Sequence, residues 1–304
     1  MFKILKICPT LGVRKELKFQ DFNFPAGEVS VKLNAKDYAY MAFDLPHTIV
    51  ANIQSSDDLF KLAMLKDALT RFDPRPVRLF IPYFPYARQD RVCDKGEAFS
   101  LTVMVKFLAT QGFAHVTIVD PHSNATPAAL EGAGIPLTVL TQLDILNKFT
   151  DFIPVLMGSL LVSPDAGSNK KVSDAAEWLA HANFIRADKL RDLTNGTIKE
   201  IVVYADDLKG RQVVILDDIC ERGGTFVGLA KVLKAKNAGK VILFVTHGVF
   251  GGKGEAQATI EKLLASGIDE IWTTNSYYGN LCAELNCNNA LKVLKLEERF
   301  FDRI

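Results

Sequence analysis

From about residue 48 onward, short continuous runs of apolar and β-branched residues alternate with stretches of helical periodicity. That rhythm leaves few choices of fold. Strands whose every residue is apolar must be covered on both faces, and only crossover helices do this for parallel strands. The clearest runs are Val77 to Ile81, Val116 to Val119, Leu160 to Val162, Val213 to Leu216, Val241 to Val245 and Glu270 to Thr273. Between them, Ser56-Asp57-Asp58 opens an amphipathic run to Arg71, Ser100 is placed to cap a run ending at Gly112, and Thr225 to Asn237 closes at Gly239. The expectation is an α/β protein with mainly parallel sheets flanked by helices. At 304 residues the chain suggests two domains. Phe152-Ile153-Pro154 reads as the linker, giving domains 1–149 and 150–304.

Charge excludes some partners. Thirty-six basic against 35 acidic residues leave a formal charge of +1, which asks for neither nucleic acid nor a membrane surface. Five scattered cysteines, in neither CxxC nor zinc-type spacing, read as reduced thiols. Met1 to Lys6 carries no apolar stretch fit for a signal sequence, and no run approaches the ~18 apolar residues of a membrane span, so a cytoplasmic location is expected.

The strongest chemical signal is Val213 to Phe226, an apolar strand ending in Asp217 and Asp218, then Glu221, Arg222, Gly223, Gly224 and Thr225 opening a helix. Glycines let backbone N–H groups approach a phosphate; the helix N-terminus adds partial positive charge and Thr225 a hydroxyl. The two acids suit ribose hydroxyls, directly or through a cation. An ordinary strand-to-helix turn with solvated acids is the plainer alternative. The segment resembles the phosphoribosyl-diphosphate-binding signature of the type I phosphoribosyltransferase fold, which leaves two reactions open: consuming that compound or making it.

A second string, Pro82-Tyr83-Phe84-Pro85-Tyr86-Ala87-Arg88-Gln89-Asp90-Arg91, follows a buried strand. Two guanidinium groups suit a triphosphate, and Gln89 both donates and accepts. As a string it resembles the fingerprint of the ribose-phosphate pyrophosphokinase family, in which the Arg-Gln pair binds ATP. The resemblance runs from about Phe24 to Leu296. It implies two tandem domains of the type I phosphoribosyltransferase-like fold and diphosphate transfer from ATP to ribose 5-phosphate with magnesium. It also implies a homo-oligomer, dimer or hexamer.

Residue by residue, the resemblance places ATP at Phe24, Ala26, Gly27, Glu28, Arg88, Gln89, Asp90 and His122. Asp120-Pro121-His122 is similar to a metal-holding Asp-Leu-His, and Ser163-Pro164-Asp165-Ala166-Gly167 to a Ser-Pro-Asp-x-Gly whose aspartate lies by the ribose and a second magnesium. The metal set is thus Asp120, His122 and Asp165. Lys189 and Arg191 match a mobile Lys-Arg-Arg loop as catalytic lysine and partner. Ribose 5-phosphate falls to Asp165, Arg191, Asp217, Asp218, Glu221, Arg222, Gly223, Gly224 and Thr225. Thr246-His247-Gly248 and Thr274-Asn275-Ser276 match scaffold strand ends.

Three departures stand out. Ala26 replaces an aspartate that reaches adenine. Glu221 to Thr225 replaces Asp-Thr-x-Gly-Thr, and the stretch after His122 lacks a Gln-Ile-Gln-Gly-Phe-Phe tied to regulation. They keep two alternatives open, a non-catalytic regulatory homologue and a type I phosphoribosyltransferase. Gly251 to Gly254 lacks the Ser or Thr of a Walker loop.

Overall fold

A computed structural model describes residues 2–8, 13–34, 36, 46–180, 184–191, 198–252, 254–278, 289–300 and 303. In chain order the elements are β1 (Phe2–Cys8), β2 (Val13–Leu17), β3 (Phe19–Asn23), β4 (Val29–Leu33), β5 (His47–Ala51), α1 (Ser56–Phe72), β6 (Val77–Ile81), α2 (Ser100–Gln111), β7 (His115–Val119), α3 (Ala125–Gly132) and β8 (Leu137–Leu140). There follow α4 (Gln142–Lys148), α5 (Ile153–Met157), β9 (Leu160–Ser163), α6 (Asn169–Trp178), β10 (Ile185–Arg191), β11 (Ile198–Val203), β12 (Val213–Cys220), α7 (Gly224–Ala235), β13 (Val241–Gly248), α8 (Ala256–Ala265), β14 (Glu270–Thr274), β15 (Leu291–Leu294) and α9 (Leu296–Arg299). All six runs read as strands are strands. Among the described residues no helix is long and apolar enough to cross a membrane.

The chain divides into two compact units, Met1–Leu140 with Leu296–Ile304, and Thr141–Lys295. The sequence put the division at 149/150; here it falls before α4, and the C-terminal segment joins the first unit. Phe152, read as linker, is fully buried in the second unit, stacked on Phe244 and Trp272 at centroid distances of 5.4 and 4.5 Å. Pro154 does not break the chain because it sits in the first turn of α5, where no helical N–H partner is lost.

In the first unit the sheet order is β2-β1-β5-β6-β7-β8. Strands β5 to β8 are parallel, and β1 runs antiparallel to both its neighbours. Beside the sheet, β3 and β4 form a hairpin. In the second unit the order is β11-β10-β9-β12-β13-β14-β15, parallel except for β10 with β11. Every residue of β5 and β13 is buried, as expected of strands covered on both faces, and β13 opens on the apolar run Val241 to Val245.

Helix ends differ in detail from the sequence reading. The cap of α1 is Ser55, whose side chain accepts from the Asp58 N–H while the Asp58 carboxylate accepts from the Ser55 N–H at 3.0 Å, a capping box. Ser100 does not cap α2; it is already helical, and its hydroxyl turns back to the Ala98 carbonyl. Helix α7 stops at Ala235, and Asn237 rather than a glycine takes the left-handed turn.

Candidate active site

In the second unit the chain leaves β9 toward β10 and β11, then returns to lay β12 on the other side of β9. Open parallel sheets bind ligands at such a reversal, outside the carboxyl ends of the strands. The pairing of β12 with β9 ends at Ile215, whereas its pairing with β13 continues to Cys220. The flank of β12 carrying Asp217 therefore projects past the end of β9, beside the turn that holds Asp165.

That turn is a single 3-10 turn, Ala166–Ser168, capped by Asp165, whose Oδ1 accepts from the Ser168 N–H at 3.1 Å. A side chain at Gly167 would put a Cβ 3.2 Å from that oxygen, so glycine keeps the turn tight. Lys189 donates from β10 to Asp165 Oδ2, with both side chains about one-fifth exposed. Burial pushes the Asp165 carboxyl up, but the Lys189 ammonium and the N–H groups of Ser168 and Gly167 outweigh it and hold the group below the usual carboxylate range.

The Ser168 hydroxyl bridges outward, donating to Asp217 Oδ1 at 2.7 Å, and the Asp218 N–H donates to the same oxygen at 3.0 Å. Burial, with the neighbouring Asp218 charge behind it, pushes the Asp217 carboxyl up to about 8.

Past β12, Glu221 and Arg222 are exposed, Gly223 is buried in a left-handed conformation (φ 70°), and Gly224 starts α7 with open space where a side chain would stand. A Cβ at Gly223 would lie 3.0 Å from Leu263, so backbone strain and packing both demand glycine there. Half-buried Thr225 completes the turn. The loop is braced from behind: the Cys220 carbonyl accepts from the N–H groups of Val249 and Phe250 at 3.0 and 2.9 Å. Burial pushes the Cys220 thiol up, leaving it a packing group. Thr246-His247 and Thr274-Asn275-Ser276 are buried scaffold: His247 Nδ1 meets the Ser276 hydroxyl at 2.9 Å, and the Thr274 hydroxyl donates to the Thr246 carbonyl at 2.7 Å.

Residues 188–191, expected as a mobile loop, belong to β10, which pairs with β9 at Ile185 and Arg186 and with β11 along 187–191. Arg191 is a strand residue whose backbone faces Ile198; its side chain, like residues 192–197, lies outside the described residues.

In the first unit β6 runs into a turn anchored by buried Phe84 and Ala87, with Tyr86 left-handed at φ 63°. The turn leaves Arg88 and Gln89 exposed, and the Gln89 carbonyl accepts from Leu101 N–H at the start of α2. Adjacent β7 is followed by Asp120, buried with φ 36°, and by exposed His122. The Ser123 hydroxyl donates to Asp90 Oδ2 at 2.6 Å and so joins the two strand-end loops. Arg88, Gln89, Asp90, Asp120 and His122 thus gather at the carboxyl ends of β6 and β7. Phe24, Ala26, Gly27 and Glu28 form the exposed β3–β4 turn, closed by Phe24 N–H to the Glu28 carbonyl at 2.8 Å, and Asp21 of this hairpin pairs with Lys61 of α1 at 2.9 Å.

Among the described residues no three His, Cys, Asp or Glu side chains form a ready metal cluster. Magnesium fits such an arrangement nonetheless, because it takes one or two protein carboxylates and completes its shell with water and phosphate oxygens. Sequence reasoning missed Ser123, Ser168 and Gln142, whose side-chain amide donates to the Asp217 carbonyl at 2.7 Å. Only Ser168 left a trace, the Asp-x-x-Ser spacing of a capped turn.

Two family models match the chain: the N-terminal domain of ribose phosphate pyrophosphokinase over residues 5–112, and the phosphoribosyl synthetase-associated domain over residues 181–296. Relatives named ribose-phosphate pyrophosphokinase include one from Hyphomonas neptunium, 31% identical over 73% of this chain and 68% of its own length. Others come from a Marinomonas species, 30% over 83% and 76%, and Pyrococcus furiosus, 29% over 83% and 84%. The crystal structure of phosphoribosylpyrophosphate synthetase from Mycobacterium smegmatis shares the fold, with a TM-score of 0.73 and 22% identity, covering 92% of this chain and 86% of that one.

Proposed function

This chain belongs to the ribose-phosphate pyrophosphokinase family, and from that premise we propose that it transfers the β,γ-diphosphate of ATP to the 1-hydroxyl of ribose 5-phosphate, releasing AMP. One observation carries the reading. Ser168 links Asp217 to the Asp165–Lys189 pair at the switch point of the second sheet, and the Gly223-Gly224 turn follows at the end of the same strand, an arrangement suited to the hydroxyls and the phosphate of a phosphorylated sugar.

Diphosphoryl transfer asks for alignment and charge neutralisation more than covalent chemistry. In this reading the Gly223–Thr225 turn and Arg222 take the 5-phosphate, Glu221 and the two acids Asp217 and Asp218 hold the ribose hydroxyls, and Asp165 steadies the Lys189 ammonium. Lys189, with Arg191, then meets the negative charge that spreads over the transferred group. Arg88, Gln89, Asp90 and His122 of the first unit take ATP, helped by Phe24, Ala26, Gly27 and Glu28 of the hairpin. Asp120 and His122, and separately Asp165, are the residues that would hold magnesium, which when bound neutralises phosphate charge. A homo-oligomer and a cytoplasmic location complete the proposal.

Phosphorus NMR of the protein with Mg-ATP and ribose 5-phosphate tests it. New sugar-linked diphosphate resonances growing with AMP support the synthase; growth of ADP instead means single phosphoryl transfer and rejects it. Ala26 favours a second reading, a regulatory homologue, since the hairpin lacks the acid expected to contact adenine. That reading requires sugar binding without turnover.

A further inference from the structure

Ser168 is 5% exposed and makes three polar contacts with the crevice acids. Its N–H donates to Asp165 Oδ1 at 3.1 Å, its hydroxyl lies 3.4 Å from that same oxygen, and the hydroxyl donates to Asp217 Oδ1 at 2.7 Å. A hydroxyl has one proton to give. The shorter distance assigns it to Asp217. With the Asp218 N–H also on Oδ1, both of these hydrogen bonds fall on one oxygen of the Asp217 carboxylate. Asp165, in turn, is occupied on both oxygens, by the capped turn and by Lys189. A free carboxylate at a strand end would rotate between two equivalent orientations; here one is chosen.

We propose that Ser168 is a positioning residue for the sugar, fixing Asp217 so that its Oδ2 meets a ribose hydroxyl and tying that acid to the Asp165–Lys189 pair. The proposal rests on the reading of this crevice as the ribose 5-phosphate site. It goes beyond that reading because it makes a residue outside the strand-end signature responsible for sugar affinity. The backbone cap of Asp165 does not depend on the Ser168 side chain, so removing the hydroxyl leaves the turn and the Lys189 pairing in place. Sugar affinity and turnover should therefore separate.

The test compares native protein with Ser168→Ala, Ser168→Cys and Ser168→Thr, after thermal melting establishes that each is folded. Losing one well-placed hydrogen bond should raise the KM for ribose 5-phosphate about tenfold in the Ala and Cys variants, with kcat and the KM for ATP within about twofold of native. Thr, which keeps the hydroxyl, should restore the native KM. Equal sugar KM in native and Ala variants, or kcat and both KM values moving together, overturns the assignment. Calorimetric titration of ribose 5-phosphate without ATP separates this failure from failure of the synthase reading. Native protein that binds the sugar but makes no AMP rejects the synthase alone, and the Ala variant should then still bind about tenfold more weakly. Equal sugar binding by native and Ala proteins rejects the Ser168 assignment, and no binding by native protein rejects both.

Discussion

Lys189 reaches from β10 to Oδ2 of Asp165, just past the end of the neighbouring strand β9. The pairing places a fixed positive charge at the switch point without a loop to carry it. An acid holding a lysine's ammonium orients that charge before substrate arrives, which is how a charge becomes useful in a transition state.

Removing that charge separates chemistry from binding. Lys189→Ala should lower kcat by about 100-fold or more while shifting the KM for ribose 5-phosphate by less than about tenfold. Steady-state AMP release measures both. Unchanged turnover takes Lys189 out of the mechanism.

Asp217 makes stability depend on pH. Its folded carboxyl is raised to about 8, so the native state holds a proton that the unfolded chain releases. Its contribution is full below the ordinary carboxylate range and is lost as pH rises from about 4 toward about 8. Melting temperatures without divalent ions should decline across that window in native protein and decline less in Asp217→Asn. Parallel curves would contradict the assignment.

The Ser123–Asp90 hydrogen bond joins the loops after β7 and β6. Ser123→Ala frees the Asp90 carboxylate and should raise the KM for ATP by about three- to tenfold, leaving the ribose 5-phosphate KM unchanged. A change in the sugar KM alone would place the loop junction in the wrong half of the reaction.

A charge cluster far from the signature residues holds the first sheet together. Asp73 carries Arg75 on both carboxylate oxygens, with His47 at 2.8 Å and Lys6 at 3.7 Å on Oδ2. The Arg75 hydrogen bonds, with those of His47, hold the Asp73 carboxyl well below its usual range against the pull of burial. Asp73→Asn removes the counter-charge held against buried Lys6 and half-buried Arg75 and should cost about 3 kcal/mol in urea unfolding. In native protein this contribution is present above the ordinary carboxylate range and fades as pH falls through the depressed value. An Asn variant of native stability would show the cluster to be decorative.

The parts legible in the sequence were those under two-sided burial. Strands β6, β7, β9, β12, β13 and β14 carry mainly apolar runs, and Asp217 and Asp218 interrupt one of them where β12 outruns β9. Strand β1, Phe2-Lys3-Ile4-Leu5-Lys6-Ile7-Cys8, mixes lysines into its pattern, one bound to Glu297 and the other drawn to Asp73, and did not read as a strand. Strand β10 hid for a related reason: Asp188, Lys189 and Arg191 read as a charged loop, yet antiparallel pairing with β11 holds their backbone. Phe152 misled because Pro154 follows it, though the first helical turn tolerates proline. Ser123 and Ser168 were invisible because a serine acquires its role only from what the fold brings opposite it.

The central claim is tested most directly by AMP formation from Mg-ATP with and without ribose 5-phosphate, the sugar product being weighed by mass spectrometry. The account predicts AMP that depends on the sugar, and a product heavier than ribose 5-phosphate by one diphosphate group. Sugar binding with no AMP from ATP or any other nucleoside triphosphate would contradict it.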